Sequence, residues 1–212
     1  MTNNPPPLCD ATLAAQIGGR RSVRRYGPSG VGNEVVKRLL TAAGRAPSAH
    51  NKQPWRFAVL DTFESRHTLA RAMGRKLRQD RVADGDAAEL IEADVSRSYE
   101  RITQAPIAIV LCVDMSAMHD YPDPTRNEAE YLMAVQSTAM AAQNLLLAAQ
   151  AEDLGGCIMC APLFCPEAVV ESLQLSPHWR AQMLVTIGEA AAPPKDRLRL
   201  PLEQITEWIS DR

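Results

Sequence analysis

A chain of 212 residues sits just above the usual ~100–200 residues of one domain and is long enough to bury a core without disulfide or metal staples. With 46% hydrophobic and 23% charged residues and a formal net charge of −2, it is ordinary in composition, and its bulk charge gives no reason to expect nucleic acid or a membrane as partner. The cysteine count is odd at five, residues 1–7 are polar and Pro-rich without an apolar signal segment, and no stretch reads as the ~20 consecutive apolar residues of a membrane span, so a cytoplasmic protein with reduced thiols is expected.

In chain order, residues 1–7 read as a disordered tail and 8–212 as a single domain. Asp10 is placed to cap a short helix to about Ile17, ended by Gly18 and Gly19. Asn33 caps a second helix to about Arg45, with Val35, Val36, Leu39, Leu40 and Ala43 as its apolar face, and Pro47 stops it. Trp55 to Leu60 reads as a buried strand. Glu64 to about Arg101 is helical, mostly polar and broken near Gly85. Ile107 to Val113, rich in β-branched residues, is a second strand.

A loop with Pro122 and Pro124 leads into the longest helix, 127–153. Its apolar residues spread around much of the circumference, which predicts burial on most sides, and its alanines permit close contact with a partner subunit. Gly155 and Gly156 read as the end of that helix. Cys157–Ala161 is expected as a short strand, Glu167–Leu173 as a short helix begun by Pro166, Met183–Gly188 as the last clear strand, and Leu202–Ile209 as a closing helix after Pro193-Pro194. Interspersed helices and strands make this a mixed fold around one layered core.

Four segments carry candidate chemistry. Arg20-Arg21-Ser22-Val23-Arg24-Arg25 offers guanidinium forks matched to phosphate oxygens, although an isolated run of this kind is more often a solvated basic turn; Val23 and Tyr26 are placed to anchor it. Pro47-Ser48-Ala49-His50-Asn51-Lys52-Gln53-Pro54-Trp55 packs polar side chains between prolines just before a strand, suiting either a planar heterocycle or a plain helix-to-strand connection. Leu154-Gly155-Gly156-Cys157 gives backbone that a ligand can approach closely, or a simple cap. In Arg197-Leu198-Arg199-Leu200-Pro201, alternation puts both arginines on one side of an extended chain.

Other readings carry less weight. Cys157-Ile158-Met159-Cys160 has no second C-x-x-C for a zinc site and reads as structural. Gly30-Val31-Gly32 lacks the third glycine of a dinucleotide fingerprint. His50, His67, His119 and His178 show no metal-ligand spacing, so no metal is assigned. The basic stretch Arg66–Arg81 reads as a solvated helix face or as a lid over an anionic substrate.

Taken together, the Arg-x-Ser-x-Arg segment, the Pro-Ser-x-x-Asn-x-Gln-Pro-Trp loop, the Gly-rich turn and the late Arg-x-Arg-x-Pro resemble the nitroreductase family over about residues 15–207. The resemblance implies an α+β sandwich with a mostly antiparallel central sheet flanked by helices, an interlocked homodimer, and FMN at the subunit interface. It implies that Arg20, Arg21, Ser22, Arg24, Arg197 and Arg199 serve the phosphate end. Pro47, Ser48, Ala49, Asn51 and Gln53 then serve the ring or ribityl chain from the opposite subunit, with backbone at Gly155 and Gly156 facing the flavin edge. Ala49 stands where many members have serine.

Within the family, the His50 position, the charged helices and the His119-Asp120-Tyr121-Pro122-Asp123 loop look most like the C-terminal flavin domain of bifunctional gamma-glutamyl ligases of deazaflavin-coenzyme biosynthesis. This makes His50, His119 and Tyr121 substrate-pocket residues. The activity implied is ping-pong transfer from NAD(P)H through FMN to a nitroaromatic, quinone or deazaflavin precursor, with no side chain assigned as catalytic. Two alternatives stand beside it: a flavin-fragmenting enzyme of cobalamin lower-ligand synthesis, and a non-catalytic flavin or deazaflavin binder.

Overall fold

The computed structural model describes residues 11–209; the expected tail at 1–7 and the Asp10 cap lie outside them. Four strands form one sheet. These are β1 (Trp55–Leu60), β2 (Ile107–Asp114), β3 (Gly155–Met159) and β4 (Trp179–Gly188), in the order β1-β2-β4-β3 with every neighbour antiparallel. The helices are α1 (Ala11–Gly19), α2 (Asn33–Ala43), α3 (Phe63–Ala83), α4 (Ala88–Thr103), α5 (Pro124–Ala151), α6 (Pro166–Ser172) and the single turn α7 (Leu202–Ile205).

The sheet is covered on both faces. Because strand side chains alternate, Ile107, Ile109 and Leu111 of β2 pack with Val36 and Leu39 of α2 and Ala142, Leu145 and Ala149 of α5. Ala108, Val110 and Cys112 pack on the other face with Leu69 and Met73 of α3, Ile102 of α4 and Val169 of α6. A strand buried on both sides reads as a continuous apolar run, which is why Ile107–Val113 was conspicuous in the sequence. On β4 the pairing skips Gln182 between Ala181 and Met183. This bulge puts Ala181 and Leu184, three apart, on the same face.

Several boundaries move for identifiable reasons. Gly32, not Asn33, occupies the cap position of α2. Helix α5 starts three residues earlier than expected, because Asp123 accepts a hydrogen bond from the Thr125 N–H and Pro124 tolerates the first turn. It stops at Ala151, followed by Asp153 at φ 56°, so Gly155 and Gly156 do not end the helix but open β3. β4 begins four residues before Met183, since its first residues pair with the end of β2. Expected closure by a helix over 202–209 shrinks to four residues. Arg66 is no part of a solvated face: it is 8% exposed, and its guanidinium donates to the Leu60 and Pro106 carbonyls at 3.3 and 3.0 Å, tying the end of β1 to the start of β2.

By length and apolarity alone, α5 is within reach of a membrane span, because alanines dominate its last five turns and its charges gather near its start. Its Ala134, Ala141, Ala142, Leu145, Leu146 and Ala149 are nevertheless buried in the fold. The opposite stripe of this helix is open, with Leu132 52% and Met140 39% exposed.

Candidate cofactor-binding site

Two of the four sequence segments meet in one groove. The arginine segment is stitched to the sheet edge: the Val23 N–H donates to the Gly156 carbonyl at 3.0 Å, Ser22 bridges Gly156 in parallel, and the Ala191 N–H donates to the Arg25 carbonyl at 3.1 Å. Glycine at 155 is required for this approach. A Cβ there would lie 2.3 Å from Val23 Cγ2 and 2.6 Å from Val23 Cβ. Gly156 is equally confined, since a Cβ would fall 2.6 Å from Leu146 Cδ2.

Tyr26 completes the anchor. Its hydroxyl lies 2.8 Å from the Val23 carbonyl, 3.0 Å from the Thr186 carbonyl and 2.7 Å from the Thr186 hydroxyl. Burial pushes its phenol well above the ordinary range, a shift that the Thr186 contact offsets only in part. The neighbouring Cys157 thiol is also pushed up by burial and pulled back by Arg24, which leaves it a protonated structural cysteine.

The chain leaving β4 forms the other wall. Between the two lies a cavity of about 710 Å³ lined by Arg20, Arg21, Arg24, Arg25, Lys195, Arg197 and Arg199, together with Ser22. Among the described residues only Arg21 of this set has an ion pair, with Asp196 at 2.5 Å. The Asp196 carboxyl is held below the usual range by the Arg197 backbone N–H first and by Arg21 second. A groove with that excess of cations favours an anion. Guanidinium forks and a serine hydroxyl suit a terminal phosphate, so the residues present fit the phosphate end of FMN. Arg25 stood in the candidate arginine segment without a separate role, and Lys195 stood in no candidate segment, although a basic residue just after Pro193-Pro194 was an available signal.

The Pro47–Trp55 loop lies elsewhere. Ala49–Asn51 makes a single 3-10 turn, and His50, Asn51 and Gln53 all take positive φ, at 50°, 54° and 48°. Such non-glycine positions cost about 1–3 kcal/mol each and persist only where surroundings hold them. Here the Ser48 hydroxyl accepts from the Gln53 N–H at 3.0 Å, and the Gln53 amide donates to the Asn51 side chain and carbonyl at 3.3 Å. Around His50 the expected pocket residues do come together. The His50 and His119 rings meet edge to face at 5.6 Å, His119 and Tyr121 lie 6.2 Å apart, and the Arg126 guanidinium sits 4.6 Å over the Tyr121 ring. Asn127 fixes this row by accepting from the Tyr121 N–H at 2.8 Å, and buried Glu130 accepts from the His119 N–H at 3.2 Å. Neither Arg126, Asn127 nor Glu130 carried a signal in the sequence.

The groove and the loop are far apart within one chain. Along α5 the loop contacts Ser137 through the Ala49 N–H, while Gly19 approaches Gln150, thirteen residues on and so about 20 Å away. They also flank opposite edges of the sheet, β3 and β1, three strand spacings or roughly 14 Å apart.

Comparisons with known proteins bear on the family and the fold. The profile described as "Nitroreductase family" matches residues 17–189. A Thermus thermophilus protein named NADH dehydrogenase is 29% identical over 95% of this chain and 97% of its own length. Two 5,6-dimethylbenzimidazole synthases are similar: that of Rhodospirillum rubrum at 28% over 97% of this chain and 95% of its own, and that of Rhodobacter capsulatus at 31% over 80% and 79%. Among solved structures, a protein from Desulfovibrio desulfuricans in complex with FMN superposes with a TM-score of 0.72 at 22% identity, covering 96% of this chain and 99% of that one. A BluB-like flavoprotein from Clostridium difficile gives 0.75 at 21%, covering 93% and 99%. At these identities the two structures speak for the fold alone.

Proposed function

The chain belongs to the nitroreductase family, and from that premise we propose that it is an FMN-dependent oxidoreductase whose Arg20–Arg25 and Arg197–Arg199 segments hold the flavin phosphate. The observation that carries this reading is the groove of seven cationic side chains with one carboxylate partner. Bound FMN would supply the redox chemistry, accepting a hydride from NAD(P)H and passing electrons to an acceptor or to oxygen. The protein supplies position. Arg24 and Arg199 fix the phosphate, and Ser48 and Asn51 offer a hydroxyl and an amide to the ring or ribityl chain. His50, His119 and Tyr121, braced by Asn127 and Glu130, form the wall that an aromatic acceptor would face.

The site is proposed to need two copies. Groove and loop sit about 20 Å apart along α5 and at opposite edges of the sheet, whereas a second copy could bring its own loop to the groove. Exposed apolar residues support the same reading. Leu198 is 100%, Trp208 84% and Ile209 89% exposed on the C-terminal arm, and Leu132 and Met140 of α5 are exposed as well.

For the fate of the electrons, the flavin-fragmenting reading has the better support from relatives. Two of the three curated proteins named above are 5,6-dimethylbenzimidazole synthases. The reductase reading is favoured by the third, named NADH dehydrogenase. A deazaflavin acceptor has less behind it, since none of the three is a gamma-glutamyl ligase. The experiment is to incubate the protein with reduced FMN under oxygen and separate the products. Appearance of 5,6-dimethylbenzimidazole establishes fragmentation. Intact FMN, together with steady NAD(P)H oxidation in the presence of a quinone or nitroarene, establishes the reductase. Neither outcome would leave a passive flavin binder.

A further inference from the structure

Outside the groove, the antiparallel pair α3 and α4 encloses a second cleft of about 430 Å³. Its floor is made by small residues. Ala70 and Gly74 line the cleft beside α4, and a Cβ at Gly74 would lie 3.2 Å from Val95 Cγ1, so the helices are in close contact there. Arg71, Arg75 and Arg78 recur at i, i+4 and i+7 and therefore share one face of α3 along the rim. Across from them α4 presents Glu92, Ser96, Tyr99 and Glu100.

The charges on this helix are not treated alike. Arg78 is closed by a two-point pair with Glu92 at 2.6 and 2.7 Å, Lys76 is paired with Asp80, and Arg81 with Asp86 and Asp94. Arg71 and Arg75 have no ion pair among the described residues, although Glu100 lines the same cleft. They stand one turn apart, about 6 Å along the axis, where like charges at i,i+4 repel until an anion sits between them. At the far end the Tyr99 hydroxyl is held by a 2.7 Å hydrogen bond with His67 Nδ1, which fixes a polar group facing the cleft.

We propose that this cleft binds a small organic anion, phosphate- or carboxylate-terminated, clasped by Arg71 and Arg75. Glu100 and Ser96 on the opposite wall would in addition accept a hydrogen bond from a ligand that carries a hydroxyl or N–H. This site is independent of the flavin groove. It uses other elements, and it narrows the basic stretch Arg66–Arg81 to Arg71 and Arg75, which have no ion pair among the described residues.

The test is residue-resolved. Arginine Nε–Hε resonances of the full chain are followed while inorganic phosphate, glycerol 1-phosphate or glutarate is added at constant ionic strength. The Arg71 and Arg75 signals are expected to move together and saturate. Saturation with the phosphates alone identifies a phosphate-terminated ligand, with glutarate alone a carboxylate, and with both a general anion site. The R71Q/R75Q variant, changed only at exposed positions, should keep its melting temperature and bind at least tenfold more weakly. Signals of Arg24 and Arg199 report the flavin groove in the same spectra, so failure of one site is distinguishable from failure of the other. Shifts at Arg71 and Arg75 that never saturate, that sodium chloride reproduces, or that leave affinity unchanged in R71Q/R75Q would overturn the proposal.

Discussion

Gly155→Ala should dismantle the flavin groove without touching a charged residue. The added Cβ would sit 2.3 Å from Val23 Cγ2 and 2.6 Å from Val23 Cβ. A rotamer change moves the first atom but not the second, and Val23 is bonded through its backbone to Gly156. Relief therefore requires the whole arginine segment to lift away. Overpacking of this kind costs about 1–3 kcal/mol, and at about 2–4 °C per kcal/mol for a chain of this size the melting temperature should fall by roughly 2–12 °C. Displacing Arg20 and Arg24 together also removes two charge-assisted phosphate contacts at ~1.5–3 kcal/mol each, so FMN affinity should drop at least a hundredfold. Flavin fluorescence titration and thermal unfolding read both effects. The compensating change is Val23→Gly, which deletes the clashing Cβ, whereas Val23→Ala keeps it and should not rescue. The double-mutant cycle between Gly155→Ala and Val23→Gly should show a coupling of about 0.5–3 kcal/mol. Wild-type FMN affinity in Gly155→Ala, or a cycle with no coupling, would refute this account of why glycine stands there.

Other expectations follow from the same geometry. Arg24→Ala and Arg199→Ala, from opposite walls of the groove, should each weaken FMN binding by about one to two orders of magnitude, measured by the same titration; affinity unchanged in both would move the phosphate elsewhere. Light scattering at micromolar concentration should give a dimer, and dilution below its dissociation should release flavin; a monomer that keeps its flavin contradicts the two-copy site. Tyr26 carries a pH signature. Its phenol is raised in the fold by burial, so its contribution is complete below the ordinary value near 10 and lost as pH rises through the higher folded value. Tyr26→Phe should therefore be less stable than wild type near neutrality but lose less on going above pH 10, which parallel urea unfolding at both pH values would detect.

Part of the fold was legible because burial on both faces leaves a plain record. Ile107–Val113 is a continuous apolar run, while Trp55–Leu60 is apolar apart from Arg56 and only partly buried; both are strands at or within one residue of those limits. Gly155 and Gly156 were misplaced because a glycine pair after a long helix has the signature of a cap. Their actual reason, contact with Val23 and Leu146, depends on chain segments distant in sequence. Arg66 was misread for a similar reason, since nothing local distinguishes an arginine that ties two strand ends from its solvated neighbours. Of the candidate site, the arginine segments and the His50–His119–Tyr121 row were visible as motifs. Tyr26 was legible as an anchor, but its partner Thr186 and the Glu130–His119 support were not, because these are long-range or backbone contacts with residues of unremarkable type.

The most direct test of the central claim is the identity of what the purified chain holds. Protein expressed without added flavin, or reconstituted with it, should be yellow, and heat should release FMN as one molecule per chain on chromatography. Release of FAD, or no flavin retained after reconstitution with FMN, would contradict the assignment of the Arg20–Arg25 and Arg197–Arg199 groove to the flavin phosphate.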